Sequence, residues 1–350
     1  MHMADALISP AVGGAMWVAS AGAIVFCSNK VKQTLDDFKV PLMGVMGAFI
    51  FAAQMINFSI PGTGSSGHIC GSILLSVVLG PYAALLVIAS VLVVQALIFA
   101  DGGLLALGCN IVNMGIFPCL IAYPLIYRTV AGKKPSQFRL WAGTISASII
   151  GLQLGAFGVV IETCFSGVSE LPFKGFLLAM LPIHLAIGLI EGIITASVLS
   201  LIKNARPELI EGTQIPVTTE AKPLRRIIVA MLIATLLVGG IFSWFASSNP
   251  DGLEWAIGRL THGKELESPE LRAHETASKV QGISSILPDY GFKTTEKDVP
   301  EEKEEASWTA VDAGISFSGI TGSTITLLLA IILGLILKKN FNKKQIQAES

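Results

Sequence analysis

The chain opens with Met1-His2, a dipeptide able to chelate a metal ion. An initiator methionine is removed when the second residue is small, and histidine is not, so Met1 is expected to remain. Its free amine, the backbone nitrogen of His2 and the His2 imidazole can then grip one ion through fused rings. Three nitrogens held in this way favour square-planar geometry, which suits Ni(II) or Cu(II). The amine must be deprotonated and the ion must displace the amide proton. His68 offers a fourth nitrogen from the loop SIPGTGSSGHICGS (59–72), whose glycines permit tight turns and close backbone approach. Asp5, one turn beyond His2, and Asp101 in the ADGG loop (100–103) can each orient an imidazole by accepting its second N–H. Taken singly, a histidine at position 2 or in a Gly/Ser loop is an ordinary solvated residue. The case rests on their meeting on one side of the molecule, in a chain with only five histidines.

Other chemistry is sparser. His184 and Glu191 stand seven residues apart in LPIHLAIGLIEGIITASVL (181–199), near one helix face. Ionisable groups in so apolar a stretch are costly and point to function. A polar contact that fixes helix packing is the first expectation, and a direct ligand or proton relay the second. Gly64-Ser65-Ser66-Gly67 fits a GxSG pattern, so a Ser66/His184 dyad of an intramembrane serine protease is a rival reading. GTGSSG (62–67) matches GxGxxG without the strand and βαβ unit that would give it meaning. No GxxxxGK[ST] and no HExxH occurs, so the chain is not expected to hydrolyse ATP itself. The five cysteines (Cys27, Cys70, Cys109, Cys119, Cys164) have no zinc spacing and read as small apolar packing residues.

These residues must be positioned by membrane helices. Hydrophobic residues make up 52% of the chain and charged ones only 14%, where a soluble domain is nearer a quarter charged. Mean hydropathy is +0.67. No basic domain or motif points to nucleic acid, and no cleavable signal peptide is expected ahead of MHMADALISP. A bilayer core about 30 Å thick needs about 20 apolar helical residues. On that measure the expected spans are 7–28, 40–57, 69–80, 81–100, 104–127, 140–163, 176–202, 226–246 and 320–337.

Charge sets the topology. Basic clusters occur at Lys30/Lys32/Lys39, Arg128/Lys133/Lys134/Arg139, Lys203/Arg206/Lys222/Arg225/Arg226 and Lys338/Lys339/Lys343/Lys344. The positive-inside rule puts all four in the cytoplasm. An even number of crossings between the first two clusters requires a reversal at Gly80-Pro81, where proline breaks the helix. The expectation is an all-α, polytopic protein with about nine transmembrane helices, N-terminus outside and C-terminus inside. The segment 69–80 is short, re-entrant or buried among other helices. The stretch 247–319 then lies outside, with 14 acidic and 7 basic residues. It is expected to be a solvated loop, mobile over 296–305, with a weak attraction for cations as the alternative.

Several ordered motifs add a resemblance. MHMADALISP, PGTGSSGH before a small-residue helix, VLGPYAALL (78–86), VQALIFADGGLLALGCNIVNMG (94–115) and HLAIGLIEG (184–192) together resemble the CbiM/NikM family over about residues 1–203. Its members are the substrate-binding membrane subunits of energy-coupling-factor cobalt and nickel transporters, a class tied on the cobalt side to cobalamin biosynthesis. NPDGLEWAIGRL (249–260) resembles the small PDGLE-type partner subunit (NikN or CbiN-like), here fused to the first. The resemblance implies four nitrogen ligands for a transported Ni(II) or Co(II) ion: the Met1 amine, the His2 amide, the His2 imidazole and the imidazole of His68. It implies no bound cofactor and no catalysis. It also implies a transmembrane coupling (T) subunit and two cytosolic ATPases as partners, in an inner (plasma) membrane.

The resulting organisation is a metal-binding transmembrane domain (1–203, about seven helices), a cytoplasmic linker (204–225), a PDGLE-like segment (226–340) and a cytoplasmic tail (341–350). Small residues every fourth position offer a docking face for the coupling subunit: Ala11, Ala15, Ala19 and Ala23, and Gly44, Ala48 and Ala52. Packing within the chain is the alternative for both stripes. A passive metal channel is a further alternative function, and it predicts ion flux without ATPases.

Overall fold

Ser9 and Pro10 start the first long helix. The serine hydroxyl accepts the Val12 amide, and proline sits at the first helical position, where no N–H is needed. The computed structural model describes residues 1–350 apart from 34, 36–37, 211–221, 265, 267–268, 293–311 and 350. The run 296–305 and half of the linker, 211–221, therefore lie outside the described residues.

The helices are α1 (Pro10–Lys32), α2 (Lys39–Gln54), α3 (Ser72–Leu79), α4 (Pro81–Ile98), α5 (Leu107–Ile111), α6 (Arg128–Ala131), α7 (Gln137–Ser166), α8 (Phe173–Ala205), α9 (Lys222–Gly240), α10 (Gly252–Thr261), α11 (Arg272–Ser284) and α12 (Ala313–Glu349). The segment Val112–Tyr127 joins α5 to α6 as wider π-type turns. Pro118 and Pro124 lie inside it, and each lacks the amide that a tight helical ladder needs. One small hairpin departs from the all-α expectation. Strands β1 (Phe58–Ile60) and β2 (Ser65–Gly67) pair antiparallel, with Ser59 opposite Ser66.

Among the described residues six helical stretches are long and apolar enough to cross a membrane: Pro10–Lys32, Pro81–Ile98, Leu107–Ala131, Gln137–Ser166, Phe173–Ala205 and Ala313–Lys339. Two more, Lys39–Gln54 and Ile228–Gly240, are apolar but shorter. The third expected span, 69–80, is too short by itself to be a crossing helix. Eight residues rise about 12 Å, less than half a bilayer core, and every residue of α3 is buried. The reversal at Gly80-Pro81 is present: Gly80 takes φ 83°, open to glycine, and Pro81 begins α4. The loop before α3 and α3 itself thus share one descent into the bundle, and α4 returns the chain.

Close helix contacts follow small residues. A Cβ on Gly192 would stand 2.7 Å from Ile145 Cα, and one on Gly188 would stand 3.0 Å from Ile149 Cα, so α8 lies directly on α7. The α2 stripe is covered by this chain itself. Gly44 faces Ile331 of α12, Gly47 faces Thr326 and Ala330, and Ala52 meets Gly239 of α9. Ala48 and Ala52 are fully buried. As a docking face for another subunit, Gly44, Ala48 and Ala52 are therefore corrected to an internal seam, because the fused segment packs against them first. The α1 stripe differs: Ala11, Ala15 and Ala19 are exposed, with Val18, Val25 and Phe26 around them.

The stretch after α9 is not merely a solvated loop. Its described residues form α10 and α11 and lie against the N-terminal end of the bundle. Leu287 and Asp289 donate backbone amides to the carbonyls of Ile98 and Phe99. Gln281 reaches the carbonyls of Ala96 and Gly102.

Candidate metal centre

The first residues are held in an extended path by α5 and the loop before it. Met3 donates its amide to Asn110 Oδ1 at 2.8 Å and accepts from Asn110 Nδ2 at 3.3 Å, while the Gly103 amide also donates to the Met3 carbonyl. One asparagine thus reads both backbone groups of Met3, as a strand partner would. The Asp5 carboxylate accepts the Ala106 amide at 2.9 Å and fixes that loop; among the described residues no hydrogen bond joins that carboxylate to an imidazole, while His274 Nε2 lies 3.2 Å from the Asp5 backbone carbonyl. Burial raises the Asp5 carboxyl, with the amides of Ala106, Leu105 and Leu104 opposing.

His2 and His68 stack with ring centroids 5.1 Å apart and planes 20° from parallel. The two loops that sequence places 66 positions apart therefore meet face to face. His2 Nε2 lies 3.1 Å from Gln95 Oε1; Gln95 Nε2 donates to Gln54 Oε1, and Gln54 Nε2 donates to the Cys70 carbonyl. This chain of amides links the first imidazole to the loop that carries the second. His2 Nδ1 faces Asp101 Oδ1 at 3.3 Å, and Asp101 in turn accepts the Tyr290 hydroxyl at 2.5 Å. Two acceptors thus flank one imidazole. With Nε2–H on Gln95, Nδ1 is the nitrogen whose lone pair is left for a metal ion, and it lies beside the Asp101 carboxylate.

His68 Nδ1 faces the Ile69 carbonyl at 3.1 Å and so carries the proton. That leaves the Nε2 lone pair buried with no hydrogen-bond partner among the described residues. Unmet polar atoms of this kind cost about 1–3 kcal/mol. Burial lowers the pKa of His68 to about 3, and the nearby Met1 ammonium and His2 add to the shift. Burial also lowers that of His2, against the pull of Asp101. Both rings are held neutral, the form that ligates metal.

His184 repeats the pattern. Its Nδ1 donates to Met180 O at 2.8 Å and its Nε2 is buried and unpartnered. It lines one small cavity with Met1, His68 and Asp251. Glu191, two turns along α8, has its hydrogen bonds elsewhere than His184. It accepts the amides of Cys70 and Gly71 at 2.9 and 3.0 Å and so anchors the His68 loop from beneath.

Asp251 was not among the residues the sequence reading singled out. Its carboxylate lies 2.5 Å from the Met1 amine. Burial alone would raise its carboxyl, but the ammonium and the Glu254 amide outweigh burial and hold it below the usual carboxylate range. Asp251 also caps α10, accepting the Leu253 and Glu254 amides while Glu254 returns to the Asp251 amide. That capping box is legible in Asp-Gly-Leu-Glu; the long-range contact is not. Around it the turn is sewn to the histidine loop. Ser66 donates its amide to Pro250 O and its hydroxyl to Asn249 O, and Trp255 Nε1 donates to Thr63 O. Gly252 allows a close approach here, since a Cβ would stand 3.0 Å from both His184 Cε1 and Ile187 Cδ1. Gln95, Gln54 and Asn110 were also missed, although a lone amide in an apolar helix was a usable signal.

The Ser66/His184 dyad is absent. The Ser66 hydroxyl is committed to backbone carbonyls and His184 Nε2 has no partner, so no base reaches the serine. Among the described residues no group of three or more His, Cys, Asp or Glu side chains is arranged to hold an ion. A set built from a terminal amine, a backbone nitrogen and two imidazoles uses only two such side chains.

An apolar helical bundle with helices of membrane-crossing length defines an integral membrane protein, and nitrogen donors gather at one end of it. The comparisons give the family. A model described as the cobalt uptake substrate-specific transmembrane region matches residues 2–209, and a PDGLE domain model matches residues 225–339. The chain is 35% identical over 336 residues to the putative fused nickel transport protein NikMN of Archaeoglobus fulgidus, covering 95% of this chain and 98% of that protein. It is 32% identical over 226 residues to the cobalt transport protein CbiM of Sorangium cellulosum, covering 61% of this chain and 96% of that one. A crystal structure described as a transition metal transporter superposes with TM-score 0.53 at 29% identity, over 59% of this chain and 95% of the other. The chain belongs to the CbiM/NikM family of metal-transport membrane proteins, with a PDGLE-like segment fused to it. Its role is that of a non-catalytic nickel or cobalt transport component of an energy-coupling-factor system, and it is a multi-pass integral membrane protein.

Proposed function

We propose that this chain is the substrate-specific component of an ATP-driven importer, and that it captures Ni(II) or Co(II) at the outer face. The Met1 amine, the His2 amide and imidazole, and the His68 imidazole are the four donors. The observation that carries this reading is the buried, unpartnered Nε2 of His68 beside a stacked His2 and the Met1 terminus. A planar all-nitrogen set favours nickel on geometry.

The chain would sit with its N-terminus outside and its C-terminus inside. Residues 1–203 form the metal-binding domain, 204–225 the linker, 226–340 the PDGLE-like segment and 341–350 the tail. A coupling subunit and two cytosolic ATPases would drive release of the ion inward. The exposed small residues Ala11, Ala15 and Ala19 of α1 give the coupling subunit a close approach.

The test is a metal titration of the purified chain with its N-terminal amine selectively acetylated. Every side chain survives, but the acetylated nitrogen has no lone pair to offer a metal ion. Binding is expected to fall at least as far as for His2→Ala, while His68→Ala keeps the three-nitrogen chelate and retains weak binding. Tight nickel or cobalt binding by the acetylated chain would remove the terminal amine from the site.

A further inference from the structure

The contact between Met1 and Asp251 joins the two fused parts of the chain at the ion site. The Asp251 side chain is only 17% exposed and that of Met1 6%. Asp101 stands on the other flank, against His2 Nδ1. Two of the nitrogens expected to ligate thus each face a carboxylate, one from the transmembrane domain and one from the PDGLE turn. The lone pairs of His68 and His184 open into the cavity that Asp251 lines. None of the residues around that cavity is a lysine or arginine.

A divalent ion arriving here brings two positive charges into a buried, largely apolar setting. Uncompensated charge in such surroundings costs several kcal/mol. The deprotonated His2 amide supplies one negative charge, while the neutral amine and imidazoles supply lone pairs but none. Asp101 and Asp251 together carry two negative charges and already point at the ligating atoms. We propose that Asp251 is a positioning residue of the loaded ion site: it stays against the Met1 nitrogen when the ion binds, fixes that nitrogen's direction, and offsets the ion's charge together with Asp101. The PDGLE turn is then part of the site rather than a cover over it. This inference rests on the reading of Met1, His2 and His68 as ligands.

The geometry explains why the turn has its particular residues. Asp251 supplies the charge, Gly252 lets the helix start against His184, and Glu254 closes the capping box that holds the carboxylate in place. Trp255 and Pro250 fasten the turn to Thr63 and Ser66 of the histidine loop. Both imidazole and carboxylate are thus held by the same pair of loops.

The experiment is calorimetric titration of the full chain in nanodiscs with Ni(II) alone, at fixed pH and salt. Asp251→Asn keeps the size and a competent helix cap but loses the charge; Asp251→Glu keeps the charge; His2→Ala tests the underlying site. Hydrogen exchange over 252–261 reports whether α10 stays docked. The expected result is that Asp251→Asn weakens nickel binding tenfold or more with exchange unchanged, that Asp251→Glu recovers most of the loss, and that His2→Ala abolishes binding. If Asp251→Asn binds as tightly as the native chain, or more tightly, while His2→Ala fails, Asp251 is a spectator or a competitor for the amine and the inference is overturned alone. Faster exchange over 252–261 accompanying the loss in Asp251→Asn would reduce Asp251 to a helix cap, and overturns it too. If His2→Ala also binds normally, the ligand reading itself falls.

Discussion

Glu191, buried in the middle of α8, accepts the backbone amide of Cys70 at 2.9 Å from a loop 121 positions away in sequence. Its second oxygen takes the amide of Gly71. One side chain thus satisfies two consecutive buried N–H groups and sets the height of His68, two residues earlier. Glu191→Ala is expected to leave both amides unmet, at about 1–3 kcal/mol each, and to lower the thermal stability of the solubilised chain. Glu191→Gln keeps one acceptor and should fold, yet bind nickel several-fold more weakly because the His68 loop is looser. Native affinity and melting temperature in both variants would sink this role.

The seam between α2 and α12 gives a second expectation. A Cβ on Gly44 would lie 2.5 Å from Ile331 Cγ1 and 3.0 Å from the Leu327 carbonyl. Gly44→Ala should destabilise the isolated chain by about 1–3 kcal/mol, the usual cost of overpacking, and so should Ala48→Leu. The measurement is thermal unfolding without any partner subunit. Stability equal to the native chain would return this face to the list of surfaces open to another subunit.

Topology can be read by labelling single cysteines in a cysteine-free background. Pro61 and Lys134 are both exposed, and the proposed orientation puts them on opposite sides of the membrane. A cysteine at 61 should react with an impermeant maleimide in intact cells, and one at 134 only after the membrane is opened. The reverse pattern would invert the orientation and move the histidine pair to the cytoplasm.

Acid should loosen the centre before it unfolds the bundle. The pKa of His68 is depressed to about 3 and that of His2 is also lowered, both by burial. A base with a depressed folded pKa contributes stability above its unfolded value, near 6.5. That stability is lost as pH falls from there toward the folded value, at up to about 1.4 kcal/mol per pH unit for one group. Asp251, also depressed, adds a loss only below the ordinary carboxylate range. Thermal stability should therefore decline from pH 7 to pH 5, and His68→Gln should flatten the decline. A flat native profile over this window would mean that the rings are not held neutral.

The sequence by itself determined the class, the membrane helices in outline and the histidines worth watching. Runs of apolar residues near bilayer length admit few other structures, since backbone groups in lipid must be paired within a helix. Gly80-Pro81 was legible as a reversal because proline at a first helical position after a positive-φ glycine is local chemistry. Tertiary structure decided the rest. The span 69–80 reads as hydrophobic as its neighbours, but it is half the needed length because the residues before it are spent on the hairpin and the His68 loop. Small-residue stripes on α1 and α2 look alike in sequence; only packing shows that α12 covers one and leaves the other bare. Asp251 carries a local signal as a helix cap, and nothing local reports that its carboxylate meets the chain's first residue. Contacts 250 positions apart are set by how the helices stack, and periodicity and spacing do not encode them.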